Sequence, residues 1–489
     1  MKIKPAKTAF NKEYFLFLLP VFFFLHRLTQ NYLPALIETT IFVAVKYILI
    51  IIALVLILNW IFKSFRKVAV LIFALMAFYF LFGPVHDYLK QLFPGFFFVK
   101  YTFIIPISLL LFSVLAMVLI RTKSNLNRVT IFLNILFTAF ILLDLALLLK
   151  ANSGMTKEAD LALSLKNCNN CNRPDIYLIV ADEYAGNKQL KDLFSFDNSG
   201  FESELETRGF HVVKNSISNY NATVYSIASM LNMNYIENLE SRLINHRDMF
   251  LCKEIINENN LTELLNKSDY DLYNFSFFNL SGKINPVSNP FFVSQTKFLT
   301  SETFVNRLIK DVSFNFSSQE EIDKLKWKHH YNNIKIEKLL KESVLQKSKK
   351  PKFVYTHLAM PHHPYYLDST GKEVLKWKIT PGYAQDKNAY IQYLVYTNKK
   401  LLQLVDHIKS NSDQPPVIIL MSDHGYRQLD EDHLKPYFFM NLNAVLLPGK
   451  DYSQFYEGMS NVNQFRVILN AEFKQNLPLL KDSTTFLIE

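Results

Sequence analysis

Hydrophobic positions are distributed unevenly along the chain. Within the first 150 residues they form long, nearly unbroken runs: Tyr14 to Leu25, Ile41 to Phe62, Val68 to Phe82, Tyr101 to Ile120 and Val129 to Leu149. Runs this uniform leave no polar face for water, which argues against a soluble bundle and for membrane helices, each needing about 20 residues to span the hydrocarbon layer. Five membrane helices are predicted. The first and third runs are short, and Pro20 interrupts the first, so both are open to a re-entrant or interfacial placement. The Phe-rich stretch Leu92 to Val99 reads as interfacial.

Past residue 150 the apolar runs shrink to strand length. Tyr177 to Ala181, Phe353 to His357 and Val417 to Met421 read as buried strands, and they alternate with helical stretches such as Ala389 to Ile408. That alternation predicts an α/β domain with a mostly parallel sheet between helices. The expected organisation is a membrane domain over 1–150, a linker over 151–173 and an α/β domain over 174–489. No repeats are visible. Asn238 to Lys350 is polar and rich in Asn and Lys, and reads as loops that shape a pocket; Lys349-Lys350-Pro351 then marks the return to the core.

Two of the predicted strands end in acid. Val417 to Met421 runs into Ser422-Asp423-His424-Gly425, and Tyr177 to Ala181 runs into Asp182-Glu183. Carboxyl ends of parallel strands are where open α/β sheets bind ligands, and carboxylate with imidazole is a metal-binding combination. Between them, Asn219 to Leu231 begins polar and turns apolar, as a loop entering a helix does, with Thr223 near the helix start. A hydroxyl there can meet a cation and the positive end of the helix; the alternative is that Thr223 simply caps the helix.

The order LIVADEY, ATVYSIASMLN, HLAMPHHPYY, LMSDHG resembles the alkaline phosphatase superfamily, specifically its membrane-anchored phosphoethanolamine and phosphoglycerol transferases and its lipoteichoic-acid-synthase-like members. The resemblance covers most of residues 174 to 470. It implies a sulfatase-like fold in which Asp182, Thr223, Asp423 and His424 bind one divalent metal ion, zinc or manganese or magnesium, with Thr223 as the nucleophile; Glu183 is a further candidate. His362, in Pro361-His362-His363-Pro364, and His433 match family histidines that contact substrate phosphate or a second ion, and His357 at the end of its strand is another candidate. His363, His329-His330, His407 and His246 read as surface residues. The stretch Thr223-Val224-Tyr225-Ser226-Ile227 lacks the Cys/Ser-x-Pro-x-Arg motif that true sulfatases convert to formylglycine, and an unmodified Thr suits phosphoryl transfer.

Charge orients the bundle. Basic clusters at Lys2, Lys4, Lys7 and Lys12, at Lys63, Arg66 and Lys67, and at Arg121, Lys123 and Arg128 fall before the first helix and after the second and fourth, so the positive-inside rule places the amino terminus in the cytoplasm and the large domain outside. Residues 1–150 carry 15 Lys and Arg against 4 Asp and Glu, which accounts for the whole formal net charge of +10. Nothing in the chain calls for a nucleic-acid partner. Cys168 and Cys171 lie in the expected linker, where an external compartment favours a local disulfide, and Cys252 is remote. Asn221-Ala222-Thr223 also spells a glycosylation sequon, read as a chance match in an Asn-rich chain.

Together these features describe a multi-pass plasma-membrane enzyme with its catalytic domain periplasmic or extracellular. The resemblance implies transfer of a phospholipid head group, phosphoethanolamine or phosphoglycerol, through a phospho-threonine to an envelope glycan, glycolipid or lipid. A phosphodiesterase or sulfatase-like hydrolase would use the same residues. A non-catalytic receptor or scaffold would tolerate loss of a ligand position, whereas all four here are chemically competent. Transport is disfavoured because Glu38, Lys46 and Asp144 lie toward helix ends, where snorkelling accounts for them. Protease added to intact spheroplasts is expected to remove the domain beyond Leu149 and spare the bundle; a protected domain would reverse the orientation.

Overall fold

The structure is a computed structural model and describes residues 12–153, 173–287, 293–312, 318–375, 379–429 and 431–488. The chain forms two compact units, one made of residues 1–155 with 292–318 and the other of 156–291 with 319–489. Cys168, Cys171 and most of the expected linker lie outside the described residues.

The first unit contains α1 (Phe15–Gln30), α2 (Leu36–Phe62), α3 (Phe65–Leu92), α4 (Tyr101–Arg121) and α5 (Asn127–Ser153). Among the described residues α2 to α5 are long and apolar enough to cross a membrane, and α1 is a shorter apolar helix. Leu56, Trp60, Leu109 and Leu149 stand exposed on these helices, a surface that suits lipid rather than water. The short α1 buries Phe15, Leu19, Phe23 and Phe24. Phe23 stacks on Phe80 of α3 at 4.7 Å and Phe22 meets Phe137 of α5 at 5.6 Å, so aromatic packing joins α1 to its neighbours.

Two expectations change here. The third apolar run is not short: α3 continues through Gly83-Pro84 to Leu92, its last turns carrying His86, Asp87 and Lys90. Asp144 does not snorkel. It is 2% exposed and accepts a hydrogen bond from His26 Nδ1 at 3.0 Å, because a carboxylate facing neighbouring helices is stabilised by a partner rather than by reaching the surface. Glu38 and Lys46 are exposed. Part of the polar stretch 238–350 also packs with this unit, through the helices Gln295–Thr300 and Phe304–Val312.

The second unit is built on a six-stranded sheet in the order β2-β6-β5-β1-β4-β3. Its strands are β1 (Ile176–Ala181), β2 (His211–Val212), β3 (Asp271–Phe275), β4 (Lys352–Leu358), β5 (Val417–Met421) and β6 (Asn443–Leu446). β3, β4, β1 and β5 run parallel, while β6 is antiparallel to β5 and β2 to β6. Every residue of β1, β4 and β5 is buried, as expected for strands covered on both faces. Each buried Ile, Leu or Val contributes on the order of 1.5–3 kcal/mol through its removal from water.

Register brings three carboxyl ends together. Val180 of β1 lies opposite His357 of β4 and Met421 of β5, and Asp182 N–H continues the ladder to Leu358 O at 2.9 Å. The chain leaving β5 is pinned as well: Gly425 N–H donates to Phe438 O at 2.8 Å. An added Cβ at Gly425 would lie 2.7 Å from Tyr437 O and against Met440 O, so Gly425 is needed for close backbone approach rather than for an unusual φ. Gly425→Ala should therefore destabilise the protein by on the order of 1–3 kcal/mol, read as a lower denaturation midpoint, as overpacking against backbone does.

Candidate active site

The tips of β1 and β5 are tied to each other by main-chain donors. Glu183 N–H donates to Asp423 Oδ1 at 3.1 Å and Tyr184 N–H to Ser422 Oγ at 2.9 Å. To make this turn Glu183 takes φ of 59°, the left-handed region that non-glycine residues occupy at a cost. Tyr390, from the helix Lys387–Asn411, holds the turn by donating to Glu183 O at 2.9 Å and accepting from Ala185 N–H at 3.0 Å. The Glu183 carboxylate turns the other way, accepting from Arg427 N–H at 3.0 Å and Gln428 Nε2 at 2.8 Å.

Asp182, Asp423 and His424 converge, each offering an atom within 4.8 Å of the others. Asp182 Oδ1 and Asp423 Oδ2 are buried and have no hydrogen-bond partner among the described residues. Two unpaired buried carboxylate oxygens facing each other are costly unless a cation sits between them. His424 supplies the complement. Its Nδ1 donates to Gly425 O at 2.8 Å, which turns Nε2 toward the cluster. Nε2 lies 3.3 Å from Asp423 Oδ2 and 3.9 Å from Asp182 Oδ1. Burial opposes the charge of Asp182, but His362, His357 and His424 hold its carboxyl well below the usual carboxylate range. This donor set fits a divalent cation, and does not discriminate zinc from magnesium or manganese.

Thr223 is the first residue of its helix, Thr223–Asn232, and Ala222 is the N-cap, with no side-chain cap hydrogen bond. The cap reading of Thr223 therefore fails. Its Oγ1 instead lies 3.3 Å from His424 Nε2. One turn on, Ser226 Oγ donates to Asp423 O at 2.6 Å, locking the helix to the β5 tip. Asn441 Nδ2 donates to Ser422 O at 2.7 Å, as does Asn461 Nδ2 at 3.1 Å. The loop before Thr223 is held by the segment 483–488: Asn221 accepts from Leu487 N–H at 2.7 Å and donates to Leu487 O at 3.0 Å. The sequon asparagine thus has a buried structural job.

The structure gathers only some of the predicted histidines. His357 is fully buried, with Nε2 3.7 Å from Asp182 Oδ2 and Nδ1 2.9 Å from Tyr355 Oη. His362 Nε2 lies 3.7 Å from Glu183 Oε2. Burial works against a charged His362, yet Asp182 and Glu183 raise its pKa above the ordinary histidine value. His433 is not gathered: it is exposed beside Glu431, 3.6 Å away, and among the described residues no hydrogen bond or ion pair joins it to the cluster. His329, expected at the surface, is buried on the inner side of the helix Lys328–Leu345. Burial and the charge of His362 push its pKa down to about 4, which makes it a neutral neighbour of the site. His363 is lowered to about 4 as well, chiefly by burial. Periodicity was the missed signal: His329, Asn332, Asn333 and Ile336 recur on one helical face.

A cavity of about 430 Å³ is lined by Asn221, Arg427, Gln428, Lys435, Phe438 and Phe486 among others. Its wall combines Arg427 and Lys435 with the acids Glu431 and Asp432 and with aromatic rings, at residues adjoining the Thr223 loop and the Asp423-His424 turn, and Lys435 pairs with Asp432 at 2.5 Å.

With this geometry, comparison with known proteins places the second unit. No curated protein matches the chain by sequence. Among solved structures, the C-terminal periplasmic domain of EptC from Escherichia coli is similar at 12% identity, covering 66% of this chain and 94% of that one with a TM-score of 0.41; its complex with Zn gives 13% and 0.42. The soluble domain of lipooligosaccharide phosphoethanolamine transferase A from Neisseria meningitidis is similar at 13% identity, covering 62% and 89%, with a TM-score of 0.38. The sulfatase family model matches residues 177–468, from β1 through the helix Gln464–Phe473, and spans Asp182, Thr223, Asp423 and His424. The chain belongs to the sulfatase family.

Proposed function

We propose that this enzyme transfers a phosphorylated head group, phosphoethanolamine or phosphoglycerol, from a membrane phospholipid to Thr223 and then to a glycan, glycolipid or lipid of the cell envelope. The observation that carries the reading is an unmodified Thr hydroxyl, at the first position of a helix and 3.3 Å from His424 Nε2, beside two unpaired buried carboxylate oxygens. The absence of the formylglycine motif supports phosphoryl rather than sulfuryl transfer. The basic clusters support a catalytic unit outside the plasma membrane, on the side of an outer-leaflet donor. The membrane helices keep the site near that donor and spare it extraction of the acyl chains.

Asp182, Asp423 and His424, with Thr223, would hold the divalent ion. The chemistry such an ion would supply is a lower pKa for the hydroxyl and a counter-charge for the phosphoryl oxygens. Thr223 Oγ1, releasing its proton to solvent, attacks phosphorus, and the P–O bond to diacylglycerol breaks; an acceptor hydroxyl, losing its own proton to solvent, then attacks the phosphorus, and the P–Oγ1 bond breaks to restore the Thr223 hydroxyl. The helix start turns its first peptide N–H groups toward the phosphoryl oxygens. His362, whose pKa is raised by Asp182 and Glu183 against the effect of burial, is the proposed proton donor to the departing alkoxide, with His357 beside Asp182. His433 enters only as a solvent-exposed substrate contact. Glu183 acts through structure, by holding the Arg427–Gln428 segment.

Two measurements test this. Asp423→Ala or His424→Ala should lower bound divalent metal at least tenfold, about 1.4 kcal/mol each, by elemental analysis of purified protein. Unchanged metal in both variants would remove the ion site. Thr223→Ala should leave a folded, metal-loaded protein whose release of diacylglycerol from labelled phospholipid falls by orders of magnitude, while Thr223→Ser retains some turnover. Full activity in Thr223→Ala, or label recovered on another residue, would overturn the assignment.

A further inference from the structure

The segment around Gln295–Thr300 and Phe304–Val312 is flanked on both sides by chain of the second unit, yet it packs with the membrane helices. The fit is specific. Pro84 interrupts α3, and Gly83 N–H, one residue earlier, donates to Glu302 O at 2.8 Å. A Cβ at Gly83 would lie 2.7 Å from Glu302 O and 2.9 Å from its Cα, so only glycine admits the segment here. Around this contact the polar groups are matched. Arg307 pairs with Asp87 of α3 and, at 2.5 Å, with Glu302. Asp311 accepts from Tyr101 Oη of α4 at 2.8 Å and faces Lys90 Nζ of α3 at 3.5 Å. Arg27 of α1 donates to Phe298 O at 3.2 Å and to Ser301 Oγ at 3.3 Å.

Helical spacing divides Phe304–Val312 into three faces. Phe304, Arg307 and Asp311 meet the bundle; the Phe304 ring lies 5.1 Å from Phe78 and 4.8 Å from Phe82 of α3. Asn306 and Lys310 form a polar flank, its lysine exposed. Val305 and Ile309, one turn apart, form an apolar flank that is 43% and 53% exposed. Depth gives that flank an occupant. Gly83 is 18 residues along α3 from its start at Phe65, beside the basic residues Lys63, Arg66 and Lys67. At 1.5 Å per residue this is about 27 Å, close to the roughly 30 Å thickness of the hydrocarbon layer, so the segment docks at the opposite boundary of the membrane. Near that point α3 itself exposes Leu81 and Val85, which extends the lipid-facing surface to the segment.

We infer that Phe304–Val312 is an interfacial helix whose Val305 and Ile309 enter the acyl chains of the leaflet opposite the basic residues Lys63, Arg66 and Lys67, with Lys310 among the lipid phosphates. The polar face that would otherwise forbid this position is neutralised by Asp87, Lys90 and Tyr101. The inference rests on the membrane placement of the bundle and stands apart from the chemistry proposed for Thr223.

The test uses the full chain in proteoliposomes of phosphatidylethanolamine and phosphatidylglycerol. A photoactivatable amino acid is placed singly at position 305, 309, 310 or, as a water-exposed reference on the helix Lys328–Leu345, at 338, and lipid adducts are measured by mass spectrometry. Positions 305 and 309 should give adducts at least tenfold above 338, with 310 clearly lower than either. Adducts at 305 and 309 equal to those at 338 would overturn the inference. Gly83→Ala should cut the adducts at 309 severalfold by displacing Glu302, and Asp87→Ala tests the same docking through its polar partner if Gly83→Ala does not fold. Adducts unchanged in a folded variant of both kinds would show that docking does not set the helix's position, and the inference would fall.

Discussion

The second unit is organised by the unfavourable burial of charge at the joined tips of β1 and β5. Asp182 and Asp423 sit where apolar strands end, with little water to stabilise them, and what keeps them there is a set of fixed dipoles and cations in waiting. Glu183 N–H satisfies one oxygen of Asp423, Ser422 holds Tyr184, and Ser226 and Asn461 bind the Asp423 carbonyl from behind. Each of these hydrogen bonds contributes only about 1 kcal/mol net, but leaving its buried partner unsatisfied costs more, so the turn adopts one arrangement. The oxygens left over then point at each other, and the site acquires its need for a cation from the same constraint that fixes its shape.

That shape explains why Thr223 is exposed to chemistry. A helix normally spends a side-chain oxygen on its own N-terminus; here Ala222 occupies the cap and offers none. The Thr223 hydroxyl is thereby available to His424, and the helix start keeps its affinity for anions. The loop leading to it is held by amide side chains that imitate backbone: Asn221 pairs with both groups of Leu487, and Gln189 does the same for Tyr426 on the other side of the site. A polar loop is made rigid without a strand.

In the membrane unit the same economy of polar groups applies with the sign of the solvent reversed. Apolar side chains face outward, and some of the polar ones are paired with each other, as in Asp144 Oδ1 with His26 and Tyr47 with Tyr79. Pro84 removes one donor from the α3 ladder, and beside it the Gly83 N–H donates to the Glu302 carbonyl.

Much of this was legible in the residues. Strand identity at Tyr177–Ala181 and Val417–Met421 follows from continuous β-branched runs, and the apolar helices follow from their length, because both signals are local and the physics that produces them acts within a few residues. The motif order around Asp182, Thr223, Asp423 and His424 picked out side chains that the fold brings together for the same reason: each sits where a run ends. What the residues left open was decided by contacts between distant segments. Whether Thr223 caps or faces His424, which way the Glu183 carboxylate turns, that His433 stays in water while His329 goes inside, and that 295–312 leaves its sequence neighbours for α3 all depend on which surfaces are occupied by partners hundreds of residues away. The strand and helix periods are encoded in neighbouring residues; the direction of a single polar side chain is set by whichever donor, acceptor or cavity the completed fold brings to it.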